Sequence, residues 1–258
     1  MKKIIYTLFV AFIAMSCNNK NKQTTDTMEE NQLSFVKKEY NIKSKLTNIP
    51  ETELTADIPV AEGNDTIAKR INDAIFRTVK LIVAQEPDRS ANYDELFAGF
   101  INNYEKFVSE YPDGPGAWEA NIKGSVEYQT PEIVNIQIDS YTMTGGAHGN
   151  SNMTSLLFDP RNGKELAIQD IVRDTVQLYN IAEKKFREKY NVPADKPINS
   201  TGLMFLNDKF ALPQNIFVTK DGLKLFYNPY EIAAYAEGTK DLTIPYGEIK
   251  DYLLISDK

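Results

Sequence analysis

The sequence predicts an α+β fold: antiparallel β-sheets with packed helices, arranged as two consecutive α/β subdomains. Three observations carry that expectation. Segments in which apolar and polar residues alternate recur in pairs joined by turn residues. Other segments place apolar residues at three- and four-residue spacing, the mark of an amphipathic helix. The order of the two kinds is not a regular strand–helix–strand series, which argues against one parallel sheet. With 258 residues the chain can bury one large core or two small ones.

Taken in order, Phe35 to Leu46 alternates and predicts a first strand, and Glu53 to Val60 a second. Asn64-Asp65 is a helix cap, followed by Ile67, Ile71, Ala74, Ile75, Val79 and Ile82 at helical spacing. Tyr93, Phe97, Phe100, Tyr104, Phe107 and Tyr111 predict a second helix, ended by Pro112-Asp113-Gly114-Pro115-Gly116; an aromatic stripe of this kind is expected in the core. From Trp118 to Tyr128, and again from Val134 to Asp139, strict alternation predicts two half-buried strands joined at Pro131 as a hairpin. Met153 to Phe158 is a further strand, before the turn Asp159-Pro160-Arg161-Asn162-Gly163. Asp174, with Gln177 three positions on, predicts a capping box for a third helix whose apolar face is Leu178, Ile181, Ala182 and Phe186. Asp221-Gly222 between Phe217–Lys220 and Leu223–Tyr227 signals a hairpin. Asp241 to Pro245 is a short last strand and Tyr246 to Leu254 a closing helix. The expected division places the first subdomain at 34–145 and the second at 146–258.

The N-terminus carries an address. Lys2 and Lys3 precede the apolar run Ile4 to Ala14, too short to span a bilayer, and Ala14-Met15-Ser16-Cys17 follows. Residues 1–17 thus read as a secretory signal, and the small residues before Cys17 resemble the lipobox of bacterial lipoproteins. That resemblance implies lipidation of Cys17. Cys17 is the single cysteine, so no intramolecular disulfide, cysteine–zinc site or catalytic thiol is open to the rest of the chain. Residues 18–33 are polar and read as a flexible tether to a membrane surface. The expected location is the cell envelope, lipid-anchored at the periplasmic face of the outer membrane.

Charge excludes one class of partner. The chain has 29 Lys plus Arg against 36 Asp plus Glu, a formal −7. Cleavage before Cys17 removes two of those 29 cations and no acid, leaving −9. Nucleic-acid binding needs clustered cations and is not expected.

His148 is the single histidine, in Thr144-Gly145-Gly146-Ala147-His148-Gly149-Asn150 between two strands. The glycines point to positive φ or close backbone approach. The segment lacks the Lys-Ser/Thr ending of a phosphate loop, and there is no Gly-x-Ser-x-Gly elbow. One reading has the imidazole fix a tight loop; the others are a ligand contact, or catalysis with Ser140, Ser151 or Ser155. Glu127, Glu132 and Asp139 fall on the wet face of a simple alternation and read as solvated carboxylates rather than a glycosidase pair. The stretch Tyr227 to Gly238 offers tyrosines with apolar bodies and polar tips, suited to sugar or protein contact or to anchoring the connection on the core.

Two of these segments, taken together, resemble the RsiV-like extracytoplasmic domain family. Tyr141-Thr142-Met143-Thr144-Gly145-Gly146-Ala147-His148-Gly149, Leu157-Phe158-Asp159 and Gly163-Lys164-Glu165-Leu166 carry the family's Tyr-x-x-x-Gly-Gly-Ala-His pattern. Asp221-Gly222-Leu223, Asn228-Pro229-Tyr230-Glu231-Ile232-Ala233, Gly238 and Ile244-Pro245-Tyr246 are similar to its second half. Pro59, Gly63 and Ile71-Asn72 resemble the smaller domain that precedes it, so the likeness spans about residues 34 to 255. In that family the domain senses lysozyme as part of an anti-sigma factor, or precedes the catalytic domain of PdaC-type peptidoglycan deacetylases. The resemblance therefore implies a recognition module: a non-catalytic, lipid-anchored protein whose ligand is a lysozyme-like muramidase or peptidoglycan. The expected ligand-binding residues are Tyr141, Gly145, Gly146, His148 and Asn150 in one loop and Asn228, Tyr230, Glu231 and Tyr235 in the other. No catalytic residue, metal or cofactor is expected. The alternatives are a hydrolase or deacylase of envelope material acting through His148, and a purely structural envelope lipoprotein.

Overall fold

A computed structural model describes residues 33–255, apart from 48, 86, 113 and 115. The signal segment, Cys17 and almost all of the expected tether lie outside the described residues. So do Asp113 and Pro115 of the turn expected after the second helix.

Five strands form the first sheet, in the order β1 (Ser34–Lys43), β2 (Glu53–Glu62), β3 (Glu119–Gln129), β4 (Val134–Met143) and β5 (Asn150–Phe158). Between β2 and β3 the chain makes α1 (Asp65–Val83) and α2 (Tyr93–Glu110). That detour has a consequence for the predicted topology: β2 and β3 pair in parallel, the one pairing in the two sheets that departs from the expected antiparallel order. Parallel neighbours need a long crossover, and the two helices supply it. The Asn64 side chain caps α1 by accepting from Thr66 N and Ile67 N, as its position before an acidic first turn predicts. At the start of α2 the Asn92 side chain accepts from Glu95 N at 2.9 Å, and the Glu95 carboxylate reaches back to accept from Ala91 N at 2.8 Å. Ile71, Ile75 and Val79 of α1 and Phe97, Phe100 and Tyr104 of α2 are buried against Leu54, Ile58, Ile122, Ile136 and Ile138 of the sheet. Each such side chain contributes about 1.5–3 kcal/mol of burial free energy. The aromatic stripe of α2 is core, as expected, except that Tyr111 at its end is exposed.

The second sheet has the order β6 (Asn215–Val218), β7 (Gly222–Tyr227) and β8 (Lys240–Pro245). The short turn α3 (Ile168–Ile171) and the helix α4 (Thr175–Lys189) precede it, and α5 (Tyr246–Ile249) follows, continued by a single 3-10 turn in place of the longer closing helix expected from sequence. Only the Asp174 half of the α4 capping box forms among the described residues, as Asp174 accepts from Gln177 N at 3.0 Å. Leu178, Ala182 and Phe186 of α4 pack with Val218, Leu223, Leu225, Tyr227 and Ile244 in a second core. The expected subdomain boundary between 145 and 146 falls in the β4–β5 loop, and β5 continues the first sheet to Phe158.

The second sheet lies against the face of β4 and β5 that the helices leave free, and this corrects the simple alternation. Asn135, read as a wet-face residue, is fully buried. Its Nδ2 donates to Ser155 Oγ at 2.9 Å and its Oδ1 accepts from Val218 N at 2.8 Å. Gln137 and Asp139 are half-buried rather than solvated, and Gln137 Nε2 donates to Asp139 at 2.9 Å. The register of β3 shifts between Val126 and Tyr128, so a bulge at Glu127 sends Val126 to the helix-side core and Tyr128 to the other.

Candidate functional site

The loop after β4 and the loop after β7 meet. Gly145 and Gly146 turn the first at φ 102° and 106°, a backbone region closed to most side chains. The loop then delivers His148, whose Nδ1 lies 2.8 Å from Gly149 O. A carbonyl only accepts, so Nδ1 carries a proton; Nε2 lies 3.3 Å from the Tyr230 hydroxyl. Tyr235 donates its hydroxyl to the same Gly149 carbonyl at 3.0 Å, and its ring stacks on His148 with centroids 4.0 Å apart and planes 13° from parallel. Tyr230 flanks both, 5.3 Å from the Tyr235 centroid. Gly149 itself is buried beneath Tyr141: a Cβ there would stand 2.3 Å from that ring. His148, Tyr230 and Tyr235 thus form one aromatic platform, with His148 and Tyr230 exposed, and Tyr141 packs on Gly149 beside it.

Other expected site residues hold this arrangement from behind. Asn228 accepts from Met153 N at 2.8 Å and donates to Met153 O at 2.9 Å, its side-chain amide standing in for a neighbouring peptide on the edge of β5. Asn215 does the same one step along, accepting from Ser155 N at 3.0 Å. Glu231 takes Gln214 N on one carboxylate oxygen at 3.0 Å and Asn228 N on the other at 2.9 Å. Those bonds fix the turn in which Tyr230 adopts φ 69°, a rare value for a bulky residue. Tyr227, just before, is buried and donates to Ala211 O, and burial pushes its phenol well above the ordinary value. Asn150 opens β5, paired with Thr142, exposed and outside the platform.

Beside the platform lies a cleft of about 300 Å³, within the range of small-ligand sites. Asn121, Asp139, Tyr141, Ser151 and Asn152 line it from the first sheet, and Phe226, Asn228 and Thr239 from the second half. Of these, Tyr141 and Asn228 are expected ligand-binding residues, Ser151 and Asp139 are weighed only for catalysis, and the rest carry no sequence signal because they belong to segments far apart in the chain. Of the serines considered as nucleophiles, Ser140 donates to Asn152 O and Ser155 to Ile216 O, and no serine hydroxyl bonds to His148 among the described residues. Among those residues no group of three or more His, Cys, Asp or Glu could hold a metal ion.

Comparison with known proteins gives two family matches. Residues 46–151 match the family model described as deacetylase PdaC, and residues 169–247 match the one described as a protein of unknown function, DUF3298. The two matches together fit the PdaC-like, RsiV-like extracytoplasmic domain family. Over 201 residues the chain is 23% identical to the peptidoglycan-N-acetylmuramic acid deacetylase PdaC of Bacillus subtilis (strain 168). That alignment takes in 74% of this chain and 42% of the deacetylase, so the chain spans less than half of its relative. Among solved structures, a DUF3298 member from Bacteroides fragilis NCTC 9343 superposes with TM-score 0.72 at 20% identity, covering 88% of this chain and 96% of that one. A second, from Pseudomonas aeruginosa PAO1, gives 0.60 at 18% identity, covering 87% and 95%. At these identities the two structures share the fold.

Proposed function

We propose that this chain is a lipid-anchored, non-catalytic recognition module of the cell envelope, and that its ligand is peptidoglycan. The observation that carries the reading is the open platform of His148, Tyr230 and Tyr235 beside a cleft whose apolar surface, with Phe226 and Met153, is set with amides, hydroxyls and a single carboxylate. A pyranose offers a face of C–H groups and a rim of hydroxyls, which complement an aromatic ring and such a lining. Both ring nitrogens of His148 are engaged, Nδ1 within its own loop and Nε2 with Tyr230 of the other, which favours recognition over turnover. The relative's action on peptidoglycan supports the choice of polymer.

A second reading, a lysozyme-like muramidase as partner, draws on a different feature. Tyr230 is 62% exposed, and Met204, 63% exposed, bonds through its N–H to Ile232 O in the same loop, next to Leu206 at 83%. Exposed apolar side chains on a fixed loop suit a protein surface, and the negative net charge favours a basic partner.

Pelleting with purified peptidoglycan sacculi tests the first reading. The wild-type chain should co-sediment, and Tyr235→Ala should weaken retention by at least about tenfold, equivalent to about 1.4 kcal/mol. Failure to co-sediment, or equal retention of the variant, rejects it. Calorimetric titration with lysozyme tests the second: absence of heat at two temperatures excludes it. His148→Ala addresses the hydrolytic alternative, which predicts muropeptide turnover by the wild type and none by the variant.

A further inference from the structure

The first sheet has one face under α1 and α2 and the other open over β1 to β3. We propose that this open face continues the cleft, and that the two together take an extended, uncharged amino-sugar chain, with the aromatic platform at one end. The inference rests on the peptidoglycan reading above and names the part of that polymer recognised: the glycan strand.

Strand registers place Asn41, Thr55, Asn121, Tyr141 and Ser151 side by side in one row across all five strands. Four interstrand spacings make that row about 19 Å long, enough for several sugar rings end to end. All five are uncharged hydrogen-bonding side chains; Asn41, Asn121 and Ser151 are exposed, and Thr55 and Tyr141 half-buried. Asn121 Nδ2 donates to Thr55 Oγ1 at 2.7 Å, which leaves the Asn121 carbonyl to accept and the Thr55 hydroxyl to donate to a ligand. An acetamido group carries the N–H and C=O that this pair would meet.

The flanks define what is kept out. On one side the neighbouring row is Glu39, Asp57, Lys123 and Asp139; on the other it is Lys43, Glu53 and Glu119. Lys37 pairs with Glu39 and Asp57, and each flank still keeps one net negative charge, which disfavours a polyanion over β1 to β4 and leaves a neutral chain unaffected. The row lies on a face of the sheet, where backbone groups are already paired, so recognition falls to side chains rather than to strand addition. Near its far end, one strand short of Ser151, Tyr141 lies over Gly149, whose carbonyl accepts from Tyr235 of the His148–Tyr235 stack. There Phe226 and Asn228 of the second half rise as a wall beside the floor formed by Asn121 and Tyr141.

The experiment uses soluble β-1,4-linked N-acetylglucosamine disaccharide and tetrasaccharide, the acetylated sugar backbone without lactyl carboxylates or peptides, beside intact sacculi. In calorimetric titration of the full chain, tetrasaccharide should bind at least about tenfold more tightly than disaccharide. In Asn41→Ala/Thr55→Val, both in the row and outside the cleft, the tetrasaccharide affinity should fall to the disaccharide value, with disaccharide binding unchanged. Circular dichroism and the unfolding midpoint verify that these surface replacements leave the fold intact. Equal affinity at both lengths, or a length dependence that survives the double variant, overturns the track and leaves platform binding in place. Sacculi that bind while these uncharged oligomers do not also overturn it, since the lactyl–peptide part of the polymer is then the ligand. If neither binds, the peptidoglycan reading falls and the track with it.

Discussion

The loop after β4 is shaped by glycines and carries little side-chain support, whereas the loop after β7 is held by side chains that replace backbone partners. In the first, Gly146 sits at φ 106° with nothing within 4 Å of where a Cβ would stand, and the bond His148 makes within its own loop is to the next residue. In the second, Asn228 and Glu231 together make four bonds to backbone groups, anchoring the loop to β5 and to the residue before β6. One loop is placed by what its backbone can do, the other by what its side chains tie down. The platform forms where they meet, so its orientation follows the better-anchored partner, and damage to the two loops should be felt differently.

The largest effect is expected at Asn228. Asn228→Ala leaves the Met153 N–H and C=O without partners at the interface of the two halves, a loss of about 3 kcal/mol in urea unfolding. A loss no larger than that of a glycine variant in the other loop would break the comparison. Glu231 comes next. Glu231→Ala removes the acceptor of two backbone N–H groups and should cost about 2 kcal/mol, whereas Glu231→Gln, keeping one acceptor oxygen, should cost about 1 kcal/mol. Both should weaken retention on sacculi because Tyr230 is released from its strained conformation; retention unchanged in Glu231→Ala would show that the platform does not depend on this anchor. The smallest effect belongs to the glycine loop. Gly146→Ala meets no neighbour and costs only the backbone strain of a positive φ, about 1 kcal/mol, seen as a small shift in the unfolding midpoint.

Most of the elements were legible because their causes are local. Asn64 before Asp65 caps a helix whether or not anything packs on it, and Asp221-Gly222 turns a hairpin by its own conformational preference. The misread positions depended on distant chain. Asn135 fits a solvent-facing slot of an alternating strand, yet Val218, 83 residues away, supplies the backbone N–H that makes its burial tolerable. Glu127 gives no sign that it is bulged out of register, because a bulge is a property of a strand pair.

The site divides in the same way. The sequence by itself determined the two loops, since glycines next to a lone histidine and tyrosines around a Pro and a Gly are unusual wherever they occur. It also determined the charge balance, which is a count. Only the tertiary structure decided that these loops face each other, that His148 stacks on Tyr235, and that Asn121 and Tyr141 floor a cleft walled by Phe226 and Asn228. The physical reason is the parallel pairing of β2 with β3 and the laying of the second sheet over β4 and β5. Both come from burying apolar surface between elements far apart in the chain, and that energy belongs to pairs of segments, not to any one of them.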